Sequence, residues 1–249
     1  MTDIEEGGPQ AFFEAMRASF DRIIAVGRGD PRLVEALTAQ AFESFDRNAQ
    51  IQSEGQPDPV CERGCDACCC LHVSATAPEI FLAARFLRLT QPAFARHGVN
   101  LGAQLTEAQA LTAGKTQQER FASCLMCPFI IGGACAIYSV RTLACRGHIS
   151  YDRDACTAVA AGEDSEALLS DAHRTVRALV QSALQASMRD AGLDWGMCEF
   201  LAGLERAMQD ETLEGRWLRG EPVFADLRED AASARDMAAT FDALRAGPA

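Results

Sequence analysis

The sequence predicts a mainly α-helical fold, with helices on both sides of an irregular, cysteine-rich middle. Three observations predict it. Alanine and leucine dominate and aromatics are only 7% of the residues, a composition that leans towards helix. Apolar residues recur at three-and-four spacing before the first cysteine and again after Glu163, as one buried helical face requires. Between those regions lie ten of the eleven cysteines, broken up by Pro128, Gly132 and Gly133.

In order, residues 9–26 form the first expected helix, with Phe12, Phe13, Met16, Phe20, Ile23 and Ile24 on one face and Gly27 and Gly29 stopping it. Asp30-Pro31 opens a second, to about Arg47, with Leu33, Val34, Leu37, Ala41 and Phe45 inward. A polar loop over 48–59 leads into the cysteines. Thr76-Ala77-Pro78-Glu79 is a capping-box pattern with proline in the first turn, so a helix to about Leu89 follows. Thr106-Glu107-Ala108-Gln109 is a second such pattern, opening a helix towards Phe121. Cys135–Val140 reads as a short strand or an irregular arm. From Glu163 the helical pattern returns: Leu168, Leu169, Val176, Leu179, Val180 and Ala183 mark a long helix ended by Ala191-Gly192. Met197, Cys198, Phe200, Leu201, Leu204 and Met208 mark the next. Pro222 begins the last, with Phe224, Leu227, Ala231, Met237, Phe241 and Leu244.

At 249 residues the chain is long enough to bury a core without covalent staples. Its net charge of −12 argues against a nucleic-acid surface and against an anionic membrane surface. No apolar run reaches the roughly eighteen residues that would span a bilayer. The start, Met1-Thr2-Asp3-Ile4-Glu5-Glu6, is acidic and unlike a signal peptide, so the expected location is the reducing cytoplasm. There, eleven cysteines point to metal binding or redox chemistry rather than disulfides.

Five cysteines fall within Cys61–Cys70. If that stretch is helical, Cys61, Cys65, Cys68 and Cys69 share one face. Thiolates gathered on one face repel each other unless a cation sits among them, so the first reading is a metal or iron–sulfur site. A second set follows: Cys127, Cys135, Cys145 and Cys156. Zinc or an iron–sulfur cluster takes four cysteines, so eight fill two sites, or one site with redox-active spares. Adjacent Cys68 and Cys69 are expected to point apart and to serve neighbouring metals. Between Phe121 and Ser150 there is no Asp or Glu, while Arg141, Arg146 and His148 are present, an electropositive island suited to an anionic cluster.

These residues resemble the bacterial cysteine-cluster proteins of the YkgJ type, whose CxxCxxCC domain is regarded as zinc- or iron-chelating. The resemblance rests on Cys61-x3-Cys65-x2-Cys68-Cys69, on Cys127-Pro128-Phe129, on Cys135-Ala136-Ile137-Tyr138 continuing to Arg141 and Cys145-Arg146, and on Cys156. Thr142 stands where that family usually has proline, and Asp66 where it usually has glycine. The match spans about residues 58–157 and leaves the flanking helices outside it. It implies a metal or cluster held by Cys61, Cys65, Cys68, Cys69, Cys127, Cys135, Cys145 and Cys156, and implies no particular reaction. The division is an N-terminal helical segment 1–57, a cysteine-cluster domain 58–160 and a C-terminal helical segment 161–249, as one compact unit. The expected fold is therefore mainly α, with helices packed around an irregular cysteine-rich metal-binding core.

The other candidates divide by surroundings. Cys198 lies on the apolar face of a helix with Leu201 and reads as core. Cys70, Cys124 and His148 stand near the site as ligands or spectators. Arg141 and Arg146 read as hydrogen-bond donors to sulfur or to backbone carbonyls, and Gly132-Gly133 as a turn rather than a phosphate loop. Three functions compete: a cytosolic iron–sulfur or zinc protein, a metal- or cluster-dependent enzyme, and a zinc-stabilised scaffold for a protein partner. For the enzyme, flagellin lysine N-methylases carry a similar cysteine cluster, but the chain lacks a Gly-rich strand–turn–helix for S-adenosylmethionine. Radical S-adenosylmethionine chemistry fits the Cys61-x3-Cys65-x2-Cys68 spacing. Ala67 stands where that motif wants an aromatic, and the flanks are helical rather than alternating strand and helix. The all-cysteine set favours iron–sulfur over zinc.

Overall fold

The computed structural model describes residues 4–62, 64–123, 125–161, 163, 165–228 and 231–246, and over them the chain is mainly helical. Helix α1 (Ile4–Gly27) buries Phe12, Phe13, Met16, Phe20 and Ile24, most of the face its spacing predicts. Helix α2 (Arg32–Gln52) runs past its expected end at Arg47. Its inner face continues through buried Asn48 and Ala49, and the Asn48 amide bonds back to the Ser44 carbonyl at 2.8 Å. Strand β1 (Ser74–Ala75) leads to α3 (Ala77–Ala95), whose capping box forms as the pattern predicts. The helix runs past Leu89 and takes Pro92 into its last turn.

Helix α4 (Leu101–Thr112) begins at Asn100 and not at Thr106. The Asn100 side chain accepts from the Ala103 amide at 3.0 Å, and the Gln91 side chain accepts from the Leu101 amide at 2.9 Å. Two better caps upstream therefore leave Thr106 inside the helix. The capping box in this region belongs to Thr116 and Glu119, which open the short α5 (Gln117–Ala122). Strands β2 (Ile130–Ile131) and β3 (Ala134–Cys135) pair as a hairpin, Ile130 opposite Cys135. Its two-residue turn, Gly132-Gly133, has positive φ at both positions (58° and 77°), which glycine tolerates and other residues resist. The expected arm is thus part strand and part 3₁₀ turn (Tyr138–Val140).

Two short helices follow, α6 (Leu143–Gly147) and α7 (Arg153–Ala160). The long helix, α8 (Asp171–Asp190), starts later than its pattern suggests. Ser170 caps it, and Leu169 bridges Ser150 as an extended residue while Leu168 is exposed. Strand β4 (Cys198–Glu199) pairs antiparallel with β1 and runs into α9 (Phe200–Gln209), so Cys198 is strand and not helix. It is fully buried, as a core residue should be. Helix α10 (Leu213–Leu218) carries the buried Trp217, and α11 (Ala231–Ala246) is the last. Pro222 begins no helix: the chain after it turns through Ala225–Leu227. Buried Asp194 fixes that turn, accepting from the Phe224 amide at 3.2 Å and pairing with Arg228, while its carbonyl takes the Trp217 indole N–H at 2.9 Å.

The core is continuous. Helices α1 and α2 pack on α8, and α3 packs on α2 and α9. Glu79, in the first turn of α3, is 1% exposed and ties two elements together. One carboxylate oxygen accepts from the Thr76 amide and hydroxyl at 2.8 and 2.7 Å; the other accepts from the Leu143 amide of α6 at 2.8 Å. Burial pushes its pKa up, and these donors oppose the rise. Removing the carboxylate leaves buried N–H groups without an acceptor. Glu79→Ala should cost on the order of 3 kcal/mol of unfolding free energy and Thr76→Ala about 1, read from urea midpoints.

Candidate functional site

The stretch from Cys61 to Cys70 is not a helix. Gly64 takes φ +99°, and the chain proceeds through successive turns: Cys65 N–H to Glu62 carbonyl, Cys69 N–H to Asp66, Leu71 N–H to Cys68. The shared helical face expected for Cys61, Cys65, Cys68 and Cys69 does not form, because these bonds span three residues and make no continuing ladder. Other segments hold the stretch in place. At its start, Val60 N–H donates to the Ser150 carbonyl at 3.0 Å and Ser150 N–H donates to the Cys61 sulfur at 3.2 Å. At its end, Cys127 N–H donates to the Cys69 carbonyl at 2.7 Å.

The hairpin carries Cys135, Cys127 stands in the turn just before it, and Phe129 anchors both, fully buried and edge-on to Phe200 at 6.3 Å. Helix α6 carries Cys145, whose amide donates to the Thr142 hydroxyl at 3.3 Å. Threonine here supplies a cap that proline could not. Helix α7 carries Cys156, beside an exposed Arg153–Glu62 pair. Arg146 fastens the whole arm. Its guanidinium donates to the Asp46 carboxylate at 3.0 Å and to the carbonyls of Ser139 and Arg141 at 2.9 and 3.1 Å, and it stacks 4.1 Å over Phe42. It is a donor to carbonyls and not to sulfur.

These segments enclose a cavity of about 600 Å³. Cys61, Cys65, Cys68, Cys69, Cys127, Cys135 and Cys145 all line it, as do Cys70, His72 and His148. Cys156 is outside the lining, yet its charge bears on Cys61. Cys124 lies outside the described residues. No disulfide joins any of the ten described cysteines. Among the described residues no three Cys, His, Asp or Glu side chains are grouped so as to hold a metal ion. The thiols line the walls rather than meeting at a point.

The electrostatics fall into two neighbourhoods. Burial pushes the Cys61 thiol up, the Ser150 amide opposes it, and Cys65, Cys68 and Cys156 add to the rise. Cys68 and Cys69, expected to point apart, are hydrogen-bonded to each other within the turn at 67–70. That bond, with smaller help from the residue's own backbone amide and then from the positive charge of Arg141, brings Cys68 down to about 7 against the effect of burial, and the same bond drives Cys69 up. Burial takes Cys127 up to about 12 and Cys145 up to about 11, and each feels Cys68 and Cys135. The Phe129 amide donates to the Cys127 sulfur and the Ile137 amide to the Cys135 sulfur, both opposing burial. His148 is held towards its neutral form by burial, then by repulsion from Arg177 and Arg174.

The electropositive island is therefore narrower than its sequence suggests. Arg141, stacked 4.1 Å over Tyr138, acts on Cys68, Cys135 and Cys145, while Arg146 is spent on Asp46. Carboxylates reach the cavity from elsewhere, as Glu62, Glu107 and Glu199. Arg120, Arg177 and Glu199 also line the cavity and belong to none of the sequence motifs. Arg177 had a readable signal, since it stands three residues before buried Val180 on the inner face of α8. Arg120 and Glu199 had none.

Comparison with protein-family models, with curated proteins and with solved structures found no match for the chain.

The tether made by Arg146 is open to direct measurement. Arg146→Ala should lower unfolding free energy by roughly 2 kcal/mol. Arg146→Lys should recover less than half of that, because an ammonium cannot reproduce the planar fork across a carboxylate and two carbonyls. Full recovery by lysine in urea titrations would show that charge alone matters.

Proposed function

We propose that the chain is a metal-binding protein, holding an iron–sulfur cluster or zinc through cysteines of the set Cys61, Cys65, Cys68, Cys69, Cys127, Cys135, Cys145 and Cys156, and acting in the cytoplasm as a binding module. One observation carries the reading: seven of these eight residues, drawn from three separate stretches of chain, line a single cavity. A disulfide framework would join such thiols, and no disulfide joins the described cysteines. An ordinary core would not gather them around open space.

The donor chemistry fits. Thiolates suit zinc and iron–sulfur clusters, and both bind the deprotonated form. Backbone amides already donate to three of the sulfurs, from Ser150 to Cys61, Phe129 to Cys127 and Ile137 to Cys135. Amide-to-sulfur bonds stabilise thiolate charge and set the potential of a bound cluster. Arg141 adds a positive charge beside Cys68, Cys135 and Cys145. A bound cluster would supply one-electron chemistry or sensing; zinc would supply a cross-link between the turns. Gathering the sulfurs around either takes rotation of the thiol side chains from the walls they line.

The pairing favoured by these neighbourhoods differs from the division by sequence order. Cys61, Cys65 and Cys156 belong together, and Cys127, Cys135 and Cys145 belong together, with Cys68 and Cys69 between them. The hydrogen bonds from Ser150 to Cys61 and from Cys127 to Cys69 support that arrangement from the backbone.

Metal analysis with an optical spectrum on anaerobically purified protein tests the reading. Iron with a brown charge-transfer absorption means a cluster; zinc with a colourless sample means a structural ion; neither metal overturns the proposal. Cys65→Ser and Cys145→Ser should each lose metal, while the buried core residue tested by Cys198→Ser should not matter for metal content. Equal metal in all three variants would remove the assigned ligand set.

A further inference from the structure

Arg177 lies near the middle of α8, on the same face as buried Val180 and Leu184. A guanidinium on such a face is costly unless an anion meets it. Among the described residues no carboxylate is within ion-pair reach of Arg177, and its Nε is buried without a hydrogen-bond partner. Glu79 acts on Arg177 with opposite sign, but its oxygens accept from Thr76 and Leu143 and not from Arg177. The other charged neighbour is Arg174, of the same sign, and His148 is the ring beside it.

The position of Arg177 is built in. Its stem crosses Gly147 so closely that a Cβ there would come within 2.5 Å of the arginine Cδ. The backbone of α6 thus admits the side chain into the wall of the thiol-lined cavity, where Ile149, Phe200 and Leu201 supply an apolar surface. A second buried cation, Arg120, lines the same cavity. It is 5% exposed, donates to Glu199 at 3.0 Å, and leaves its Nε unpartnered.

An anionic metal cluster accounts for Arg141, whose charge falls on Cys68, Cys135 and Cys145. It does not account for Arg177, whose charge falls on His148. We propose that the cavity also binds a small organic acid, its carboxylate held by Arg177 and its apolar body lying against Ile149, Phe200 and Leu201. A cavity of about 600 Å³ is in the range that small-molecule sites occupy. The inference shares its cavity with the metal reading but stands on the cationic wall alone.

The test is calorimetric titration of the full chain, purified anaerobically with its metal content measured, against octanoate, 1-octanol and inorganic phosphate. Octanoate should bind, with octanol and phosphate each at least tenfold weaker. Arg177→Met should weaken octanoate at least tenfold, about 1.4 kcal/mol, with metal content unchanged, and Arg177→Lys should fall between. Octanol binding as tightly as octanoate, no octanoate binding to the wild type, or an unaffected Arg177→Met would each overturn the proposal. Phosphate binding as tightly as octanoate would overturn the organic-acid class. If Arg177→Met fails to fold, the comparison of octanoate with octanol on the wild type and the Arg177→Lys variant decides. Metal without octanoate binding refutes this inference alone; octanoate binding without iron or zinc refutes the metal reading alone.

Discussion

A buried carboxylate ties the cysteine-bearing helix α6 to the core helix α3. Glu79 closes the cap of α3 and receives the first amide of α6, so the helix that carries Cys145 starts from the helix that anchors the core. Burial would favour the protonated acid, and the donors from Thr76 and Leu143 hold the position against that cost. The position of α6 then determines more. Its Gly147 gives room to the stem of Arg177, and its Thr142 caps the turn that places Cys145 on the cavity wall.

Around that fixed point the cysteine-bearing segments have little regular structure of their own. The stretch from Cys61 to Cys70 holds its shape through bonds to Ser150 and Cys127, and the hairpin through Phe129 in the core. Two-residue strands and five-residue helices have too few internal bonds to persist alone. Their stability is borrowed from α2, α3, α8 and α9, which pack around them. Arg146 makes the link explicit, with its guanidinium gripping the arm while it stacks on Phe42 of α2. A site assembled this way has walls contributed by distant parts of the chain, and cations such as Arg120 and Arg177 reach it from helices without a single cysteine.

Much of the helical framework was legible because it depends on local rules. The phenylalanine stripe of α1, the Thr76–Glu79 box and the double glycine of the hairpin each act within a few residues. Misreadings arose where two local signals competed. Thr106 matched a box pattern but lost to Asn100, and Leu168 matched the helical face of α8 but lies beyond the Ser170 cap. Pro222 failed as a helix start because Asp194, from a distant turn, claims the Phe224 amide.

The sequence by itself determined the helix-rich class, the positions of most helices and the crowding of thiols between Cys61 and Cys70, since periodicity, capping and thiol density are properties of neighbouring residues. Tertiary structure decided which thiols are neighbours, which arginine tethers the arm, and which arginines face the cavity. Those outcomes depend on contacts between distant parts of the chain, such as Arg146 with Asp46 and Cys61 with Ser150, and on the low-dielectric surroundings that packing creates.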